Sequence, residues 1–582
     1  MADPDHSPTA TANANSLPAL KSSDDKILAR LGKKQVLKRR FGFWSLFGFA
    51  VCELITWETV LALFSQGFNN GGPGALVYGF IIAWSSTLSV YTVISELASM
   101  APIAAGQYYW VYMLAPARYR VFASYIIGWL TSLAWVATVA TESIFAGTML
   151  QGLLILDYPD YEPKQWQGTL LTWLVVAVSV FINTVIPGAL PRIEIMTVIF
   201  HVAGFIAIIT VLWYFSPHNS AHFVFASSLN EGGWPTQGLS YCVGFLGNVA
   251  TFVGADASVH LAEEVANAPV TIPRVITFSM LMNGVVGFVM MLTLLFCLGD
   301  VQSVLDSSTG FPFIQIFYNS VKSIPGATVM GAVVLILTWA CATGITTSSS
   351  RMTWAFARDM GTPFSSIVKK VDRRTQVPII AVGVVVTFAC LLTLIYIGSP
   401  TAFNDVISLT ITGFYGSYFV PSAMLLYHRI KGTILPCGSV VEGERVSDET
   451  DSPQSTGPDD QTEKPKLAPQ EPAQDDSTTP PRPRRVAFAP SQLVWGPWHL
   501  PGVVGIINNA YACVYMLFVI FWSVWPPETP VSASTMNYSV VVTGGVIIFS
   551  VVWYYVRGRR EYQGPLVDRE VAEIIRGVAV EV

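Results

Sequence analysis

The stretch FVGADASVHLAEEVANAPVTIP, Phe252–Pro273, decides the fold of this chain. Its surroundings are apolar, yet four of its ionisable residues would share one face of a helix: Asp256, His260, Glu263 and Glu264. Charge is costly to place in hydrocarbon, so ionisable groups in a membrane helix usually face a water-filled cavity or the bundle interior and mark a transport path. The stretch therefore predicts a membrane-embedded polar site.

The position of each acid within this stretch suggests its role. Gly254 lies just before Asp256 and indicates an interruption of the helix at that depth. Asp256 falls deep in the predicted span and is a candidate for the transport path. We expect Glu263 and Glu264 to lie at the cytoplasmic end of the span, where they would be solvated.

The composition is that of an integral membrane protein. Of 582 residues, 52% are hydrophobic and only 12% are charged, whereas soluble proteins are about a quarter charged. Apolar runs of about twenty residues recur along the chain, and each is long enough to cross a bilayer. They predict an all-α bundle of twelve transmembrane helices, at about 43–67, 75–98, 121–154, 168–188, 193–215, 240–264, 275–299, 326–347, 378–398, 404–427, 502–525 and 538–556.

Charge and composition divide the chain further. A disordered cytoplasmic arm is predicted over 1–41, a ten-helix core over 42–430, a disordered acidic insert over 431–498, two more helices over 499–557 and a cytoplasmic tail over 558–582. With both termini inside, all but two of the 33 Lys and Arg residues fall on the cytoplasmic side, as the positive-inside rule requires.

The extramembrane segments give few indications of function. The insert is rich in Pro, Ser, Thr and acidic residues and cannot bury enough apolar surface to fold alone. It is either a solvated linker or a segment with ubiquitin-ligase or kinase contacts. No catalytic set, metal-ligand spacing, disulfide framework or basic nucleic-acid surface is evident, so neither an enzyme nor a nucleic-acid partner is expected.

The first span contains CELITWETV, Cys52–Val60, with Glu53 and Glu58 at mid-depth. A straight, lipid-facing helix would not carry these acids together with threonines, whereas an unwound segment needs polar groups as partners for its freed backbone. We take Thr56, Trp57, Glu58 and Thr59 as candidate substrate-binding residues. The alternative is that the two acids are buried for structural reasons.

Other spans add residues of similar character. Glu142 lies in the third span, and Phe252 accompanies Gly254 and Asp256 in the sixth. Deep carboxylates beside aromatic faces suit an ammonium or quaternary ammonium group. His201, in the fifth span, could couple transport to a proton gradient or could be a packed, hydrogen-bonded residue. The run 342–351 could coordinate sodium, but interhelical hydrogen bonds are the safer interpretation.

Four motifs together resemble the amino acid/polyamine/organocation permease superfamily, most closely its fungal amino acid and choline transporter branch. They are NNGGPGALVYGF (Asn69–Phe80), SELASMAPIAAGQYYW (Ser95–Trp110), FVGADASVHLAEEVANAPVTIPRVI (Phe252–Ile276) and SSSRMTWAFARDMGTPFS (Ser348–Ser365). The chain departs from the family pattern at Ala105, where Gly is usual, and in the first span, where Thr-Trp-Glu-Thr replaces a glycine-rich break.

The resemblance implies a fold and a function. The fold would be a LeuT-like core of five helices and an inverted repeat of five, with helices 1 and 6 interrupted near Thr56–Thr59 and Phe252–Asp256. The function would be secondary transport of an amino acid or organocation such as GABA, choline or a polyamine by alternating access. The resemblance also places His201 close to where some members carry a proton-coupling lysine.

Several alternatives stay open. The expected driving force is the proton gradient, sodium is less favoured, and no cofactor is expected. The chain could instead be a nutrient-sensing receptor of permease fold, or an exporter or vacuolar transporter. The plasma membrane is the first expectation for its location and the vacuolar membrane the second.

Overall fold

The structure is a computed structural model that describes residues 28–29, 31–398, 402–438 and 492–567. Helices make up most of it. The first half of the chain forms α1 (Phe43–Leu54), α2 (Thr56–Ala62), α3 (Phe64–Asn69), α4 (Gly72–Met100), α5 (Gln107–Leu114), α6 (Arg120–Asp157), α7 (Gln165–Thr184), α8 (Leu190–Phe215), α9 (Ala221–Ala226), α10 (Gln237–Ala250), α11 (Ala257–His260) and a 3-10 turn at Ala262–Glu264.

The second half continues the bundle. It forms α12 (Ala268–Phe296), α13 (Val301–Leu305), α14 (Pro312–Val321), α15 (Ile324–Arg358), α16 (Ser365–Val368), α17 (Ile379–Thr393), α18 (Ile395–Gly398), α19 (Ala402–Lys431), α20 (Gly502–Trp522), α21 (Ser539–Trp553), a π turn at Tyr554–Gly558 and α22 (Arg559–Glu561). Two-residue strands, β1 (Ile434–Leu435) and β2 (Leu493–Val494), pair in parallel and lie within the two ends of the predicted insert, 431–498. Residues 439–491 of the insert lie outside the described residues.

Ten helices of the described chain are long and apolar enough to cross a membrane. The predicted sixth and tenth spans do not meet this measure. The sixth is divided into α10 and α11, so neither part is long enough, and α19 contains the polar run SLTITGFYGSY. The chain is therefore a multi-pass helical membrane protein, while the count of twelve spans and the inverted repeat stay predictions.

The first span is interrupted at Ile55, between α1 and α2. This residue has φ +27° and ψ +49°, a conformation that β-branched side chains rarely adopt. The sequence predicts the break near Thr56–Thr59, and the structure places it one residue earlier. A thiol donates to the freed carbonyl of Glu53, at 3.6 Å from Cys341 Sγ on α15.

The sixth span is interrupted over Thr251–Asp256, where the sequence predicts it. Gly254 has φ +118°, and a Cβ at this position would lie 3.1 Å from the carbonyl oxygen of Glu53. The two breaks therefore pack directly against each other, and this close approach favours glycine. The hydroxyl of Tyr91 accepts from the amides of Gly254 and Ala255, at 3.1 and 3.3 Å.

Long helices hold the two breaks in the middle of the bundle. The two longest, α6 and α15, pack against each other, α4 packs against α12, and α19 lies against α6 and α20. The last residues of the predicted disordered arm pack on the bundle. Lys33, Leu37 and Phe41 are buried there. The backbone amide of Phe41 donates to the carbonyl of Glu264 at 3.1 Å.

Candidate functional site

A small cavity of about 30 Å³ lies beside the break at Ile55. It is bounded by α1, α2, α6, α10, α15 and α19, which are brought together by the packing of the two interrupted spans. Its polar lining consists of Glu53, Thr59, Thr138, Thr141, Glu142 and Thr410. This volume holds about one or two water molecules, so the cavity is too small for an amino acid or choline in this conformation.

Of the eight predicted substrate-binding residues, only Thr59 and Glu142 line this cavity. Thr138 and Thr141 are not among the site residues predicted from the sequence. A usable signal is present, since Thr138, Thr141 and Glu142 follow the i, i+3, i+4 spacing of one face of α6, and Phe145 extends that face by a further turn. Thr410 of α19 lies 3.3 Å from Thr141, between the two hydroxyl oxygens.

Glu58 and Trp57 point away from the cavity, toward α8. Both are buried, and Glu58 Oε1 lies 2.7 Å from Nδ1 of His201. The indole nitrogen of Trp57 lies 3.1 Å from the same ring nitrogen. A ring nitrogen carries either one proton or one lone pair, so it donates to Glu58 or accepts from Trp57 but does not do both. Protonation of His201 would thus change which neighbour is bonded.

Asp256 is buried in a set of neutral hydrogen bonds. It accepts from the hydroxyl of Tyr418 at 2.5 Å and from the side-chain amide of Gln107 at 2.8 Å. His260 Nε2 lies 3.8 Å away. However, this ring donates through Nδ1 to the Ala104 carbonyl at 2.8 Å and accepts at Nε2 from Trp135 at 2.9 Å, which is the pattern of a neutral imidazole. Asp256 therefore joins α5, α11 and α19.

The remaining predicted site residues belong to the walls around the breaks. Phe252 packs on Phe80 with ring centroids 4.9 Å apart, and Gly254 faces the backbone of α1. The methyl group of Thr56 faces Gly287 of α12. These three residues hold the interrupted spans together in this conformation, and their roles in substrate binding stay predictions.

Glu263 and Glu264 are not solvated, which corrects the expectation from sequence. The helix does not continue through them, and both are buried and ion-paired. Glu264 accepts from Arg351 at 2.8 Å, and Glu263 from Arg358 at 2.7 Å. Burying a carboxylate requires a partner, and α15 supplies both.

A third buried ion pair lies on the same side of the bundle. Lys33 Nζ lies 2.5 Å from Asp359, which also accepts from the Tyr108 hydroxyl at 2.9 Å and from the amide of Leu566 at 3.1 Å. Burial raises the pKa of Tyr108 well above its usual value, so its hydroxyl remains a donor. We call this side, on which Lys33 and Leu566 meet, the terminal side.

The opposite side of the bundle, which we call the open side, contains a larger recess of about 530 Å³. Its walls come from the ends of α3, α6 and α10 and from the start of α19. Leu63, Ile407 and Ile411 line both this recess and the small cavity. The path from the open side to the two breaks is therefore short, while the terminal side is closed.

A family sequence model described as amino acid permease matches residues 41–547. The chain belongs to the amino acid permease family. It is 27% identical to the choline transporter of Saccharomyces cerevisiae, an alignment covering 90% of this chain and 83% of that one. It is 26% identical to the GABA-specific permease of the same yeast, covering 99% and 92%.

These relatives establish the class of protein. The chain is a secondary transporter with a small-molecule substrate and is not an enzyme. A solved structure of Mhp1, a transporter of the nucleobase-cation-symport-1 family, aligns with a TM-score of 0.43 at 15% identity, covering 69% of this chain and 82% of that one.

Proposed function

We propose that this permease takes up an amino acid or a related nitrogenous organocation, the class that includes GABA, choline and polyamines, and that a proton gradient drives the uptake. The observation that carries the proposal is the set of buried and partly buried acids at and around the two breaks. Glu53, Glu58, Glu142 and Asp256 lie there. Carboxylates at this depth match a substrate with an ammonium group, and the choline and GABA names of the relatives fit that chemistry.

The proposed proton coupling rests on His201. Its ring is fully buried between Glu58 and Trp57, and a proton on Nδ1 decides which of the two it bonds. Both neighbours belong to α2, directly after the break in the first span, so a change in this bond acts on the segment that borders the cavity. Sodium is the less favoured coupling ion.

Uptake assays test the proposal directly. Transporter-deficient cells expressing the chain would be given radiolabelled choline, GABA, putrescine and an amino acid panel at pH 5 and pH 7.5. We expect uptake of at least one substrate to be greater at pH 5 and expect His201→Ala to remove that difference. Uptake with an unchanged pH profile in His201→Ala would exclude the histidine as the coupling residue. No uptake by protein shown at the cell surface would overturn the proposal.

We further propose that the terminal side faces the cytoplasm and that the protein resides in the plasma membrane. The basic loops support this orientation, and the recess then opens to the outside, as uptake requires. The insert would carry regulatory contacts with a ubiquitin ligase or kinase. Imaging of a fluorescently tagged chain tests the location, and a vacuolar signal would redirect the proposal to that membrane.

A further inference from the structure

The small cavity is lined by two acids that are not fully hydrogen-bonded. Glu53 is buried, with 2% of its surface exposed, and neither of its carboxylate oxygens has a hydrogen-bond partner among the described residues. Oε2 of Glu142 is likewise without a partner there. Both side chains line the same cavity. A buried carboxylate without donors is costly unless it takes up a proton or meets a cation, so the cavity favours a positively charged group whenever its acids are ionised.

The neighbours of Glu53 increase this cost. Glu142 of α6 lines the same cavity, and two acids close together each raise the cost of the other's charge. The thiol of Cys341 donates to the backbone carbonyl of Glu53 at 3.6 Å and leaves the carboxyl oxygens without a partner among the described residues. Oε1 of Glu53 lies directly against Gly344 of α15. A Cβ at this position would be 1.9 Å from the oxygen, so only glycine leaves room for the carboxyl group.

Nearby bases do not supply the missing positive charge. His201 is bonded to Glu58, and His260 is held in its neutral form between Ala104 and Trp135. No Lys, Arg or His appears among the residues that line the cavity within the described chain. The cavity is thus lined by two acids, by no basic side chain among the described residues, and by one aromatic ring, Phe145.

We propose that Glu53 and Glu142 together bind the positive charge of the transported substrate, and that they select a net cation over a zwitterion. The proposal rests on the transport function proposed above and names its substrate class. An ammonium or quaternary ammonium group would meet two carboxylates and the face of Phe145. The carboxylate of a zwitterion would meet no positively charged side chain in the cavity and would be repelled by both acids.

The recess on the open side gives this site an entry route. Leu63, Ile407 and Ile411 separate the recess from the cavity and line both. A choline-sized cation exceeds the present volume of about 30 Å³, so these three apolar side chains have to move apart for it to enter. The threonines of α6 would then border the bound cation.

Competition binding to the purified full-length chain in detergent tests the proposal. A radiolabelled substrate found in the uptake panel serves as the probe, and unlabelled choline, putrescine and GABA compete. With the wild type, we expect choline or putrescine to compete at least tenfold more tightly than GABA. In Glu142→Gln and in Glu53→Gln, competition by the cations should weaken at least tenfold, while competition by GABA should change less than threefold. Glu142→Asp, which keeps the charge, should recover part of the loss.

The matched control is Glu194→Gln, because Glu194, 1% exposed beside 2% for Glu53, is a buried acid that does not line the cavity. It should change cation competition less than threefold. Equal losses in Glu142→Gln and Glu194→Gln, or equal losses for cation and zwitterion, would overturn the proposal. A wild type that binds GABA but neither cation would also overturn it, yet leave the transport function standing. A monodisperse wild type that binds and transports nothing would instead defeat the proposed function.

Discussion

The two ends of the bundle are held together by different kinds of interaction. On the terminal side, buried ion pairs connect distant segments: Lys33–Asp359, Glu263–Arg358, Glu264–Arg351 and Glu96–Arg429. On the open side, no ion pair between segments is present among the described residues, and the contacts are hydrogen bonds, one of them from Thr328 to the Asp157 carboxylate. Gln66 donates to Asn404 at 2.6 Å, and the amide of Asn70 donates to the Pro527 carbonyl at 2.9 Å.

This difference suggests how alternating access is balanced. Buried ions recover hydration when a face opens, so an ion-paired face is stable when closed and is not greatly penalised when water enters. Neutral hydrogen bonds recover less. We therefore expect the ion pairs to hold the terminal side closed while tolerating its opening to water, and local hydrogen bonds to hold the open side around the recess.

The largest effect is expected from Arg351→Gln, which leaves the buried Glu264 carboxylate without its charged partner. The expected loss in the free energy of unfolding is about 3–5 kcal/mol, the usual cost of breaking a buried pair from one side. Thermal unfolding of detergent-purified protein would measure it. The double variant E264Q/R351Q should be more stable than the single variant, since no lone charge remains. A double variant as unstable as R351Q would show that the pair does not act as a unit.

A smaller effect is expected from Lys33→Gln, because Asp359 would keep its bonds from Tyr108 and Leu566. We expect a loss of about 2 kcal/mol, typical of one charge-assisted hydrogen bond, and faster proteolysis of the segment around Leu566. Lys38→Gln provides the control, since that nearby lysine is exposed. Similar losses in both variants would mean that the pair with Asp359 does not hold the terminal side closed.

On the open side, Asn537→Ala removes a buried amide that donates to Ser408, Ser523 and Trp525 at 3.0–3.1 Å. The partners lose neutral bonds only, and the expected cost is about 1–2 kcal/mol. Because no charge is involved, this cost should stay constant between about 0.05 and 0.5 M salt. Charge screening changes strongly over this range, since the Debye length is about 10 Å at 0.1 M. A strongly salt-dependent loss would contradict the neutral character of these bonds.

The smallest effect is expected from Arg557→Ala. Arg557 pairs with Glu561 at 2.8 Å, but the two side chains are 59% and 35% exposed. Exposed pairs contribute about 0.2–1 kcal/mol, so the unfolding midpoint should hardly move. A loss comparable to that of Arg351→Gln would mean that burial does not explain the strength of the terminal-side pairs.

Much of the fold could be predicted from local sequence. Apolar runs fix the helices because backbone groups in hydrocarbon must be bonded within a segment. Gly254 indicated the break in the sixth span, because glycine adopts the positive φ found there without a steric cost. The first break was predicted one residue late because nothing in the properties of Ile55 indicates a positive φ.

The candidate site was less accessible to such reasoning. The deep acids look alike in the sequence, but the structure separates them. Asp256 is bonded to Tyr418 and Glu58 to His201. Glu53 and Glu142 line the cavity. Sequence shows that a residue is acidic and deep. It does not show which neighbour on another helix reaches it.

The sequence by itself determined that this chain is a multi-pass membrane transporter with interrupted helices and an acidic interior, because those properties follow from hydropathy, spacing and motif. Only the tertiary structure decided which acids are paired, as Glu264 is with Arg351, and which are left facing a cavity. Pairing depends on distances of a few ångströms between helices far apart in the chain, and these are set by packing of the whole bundle.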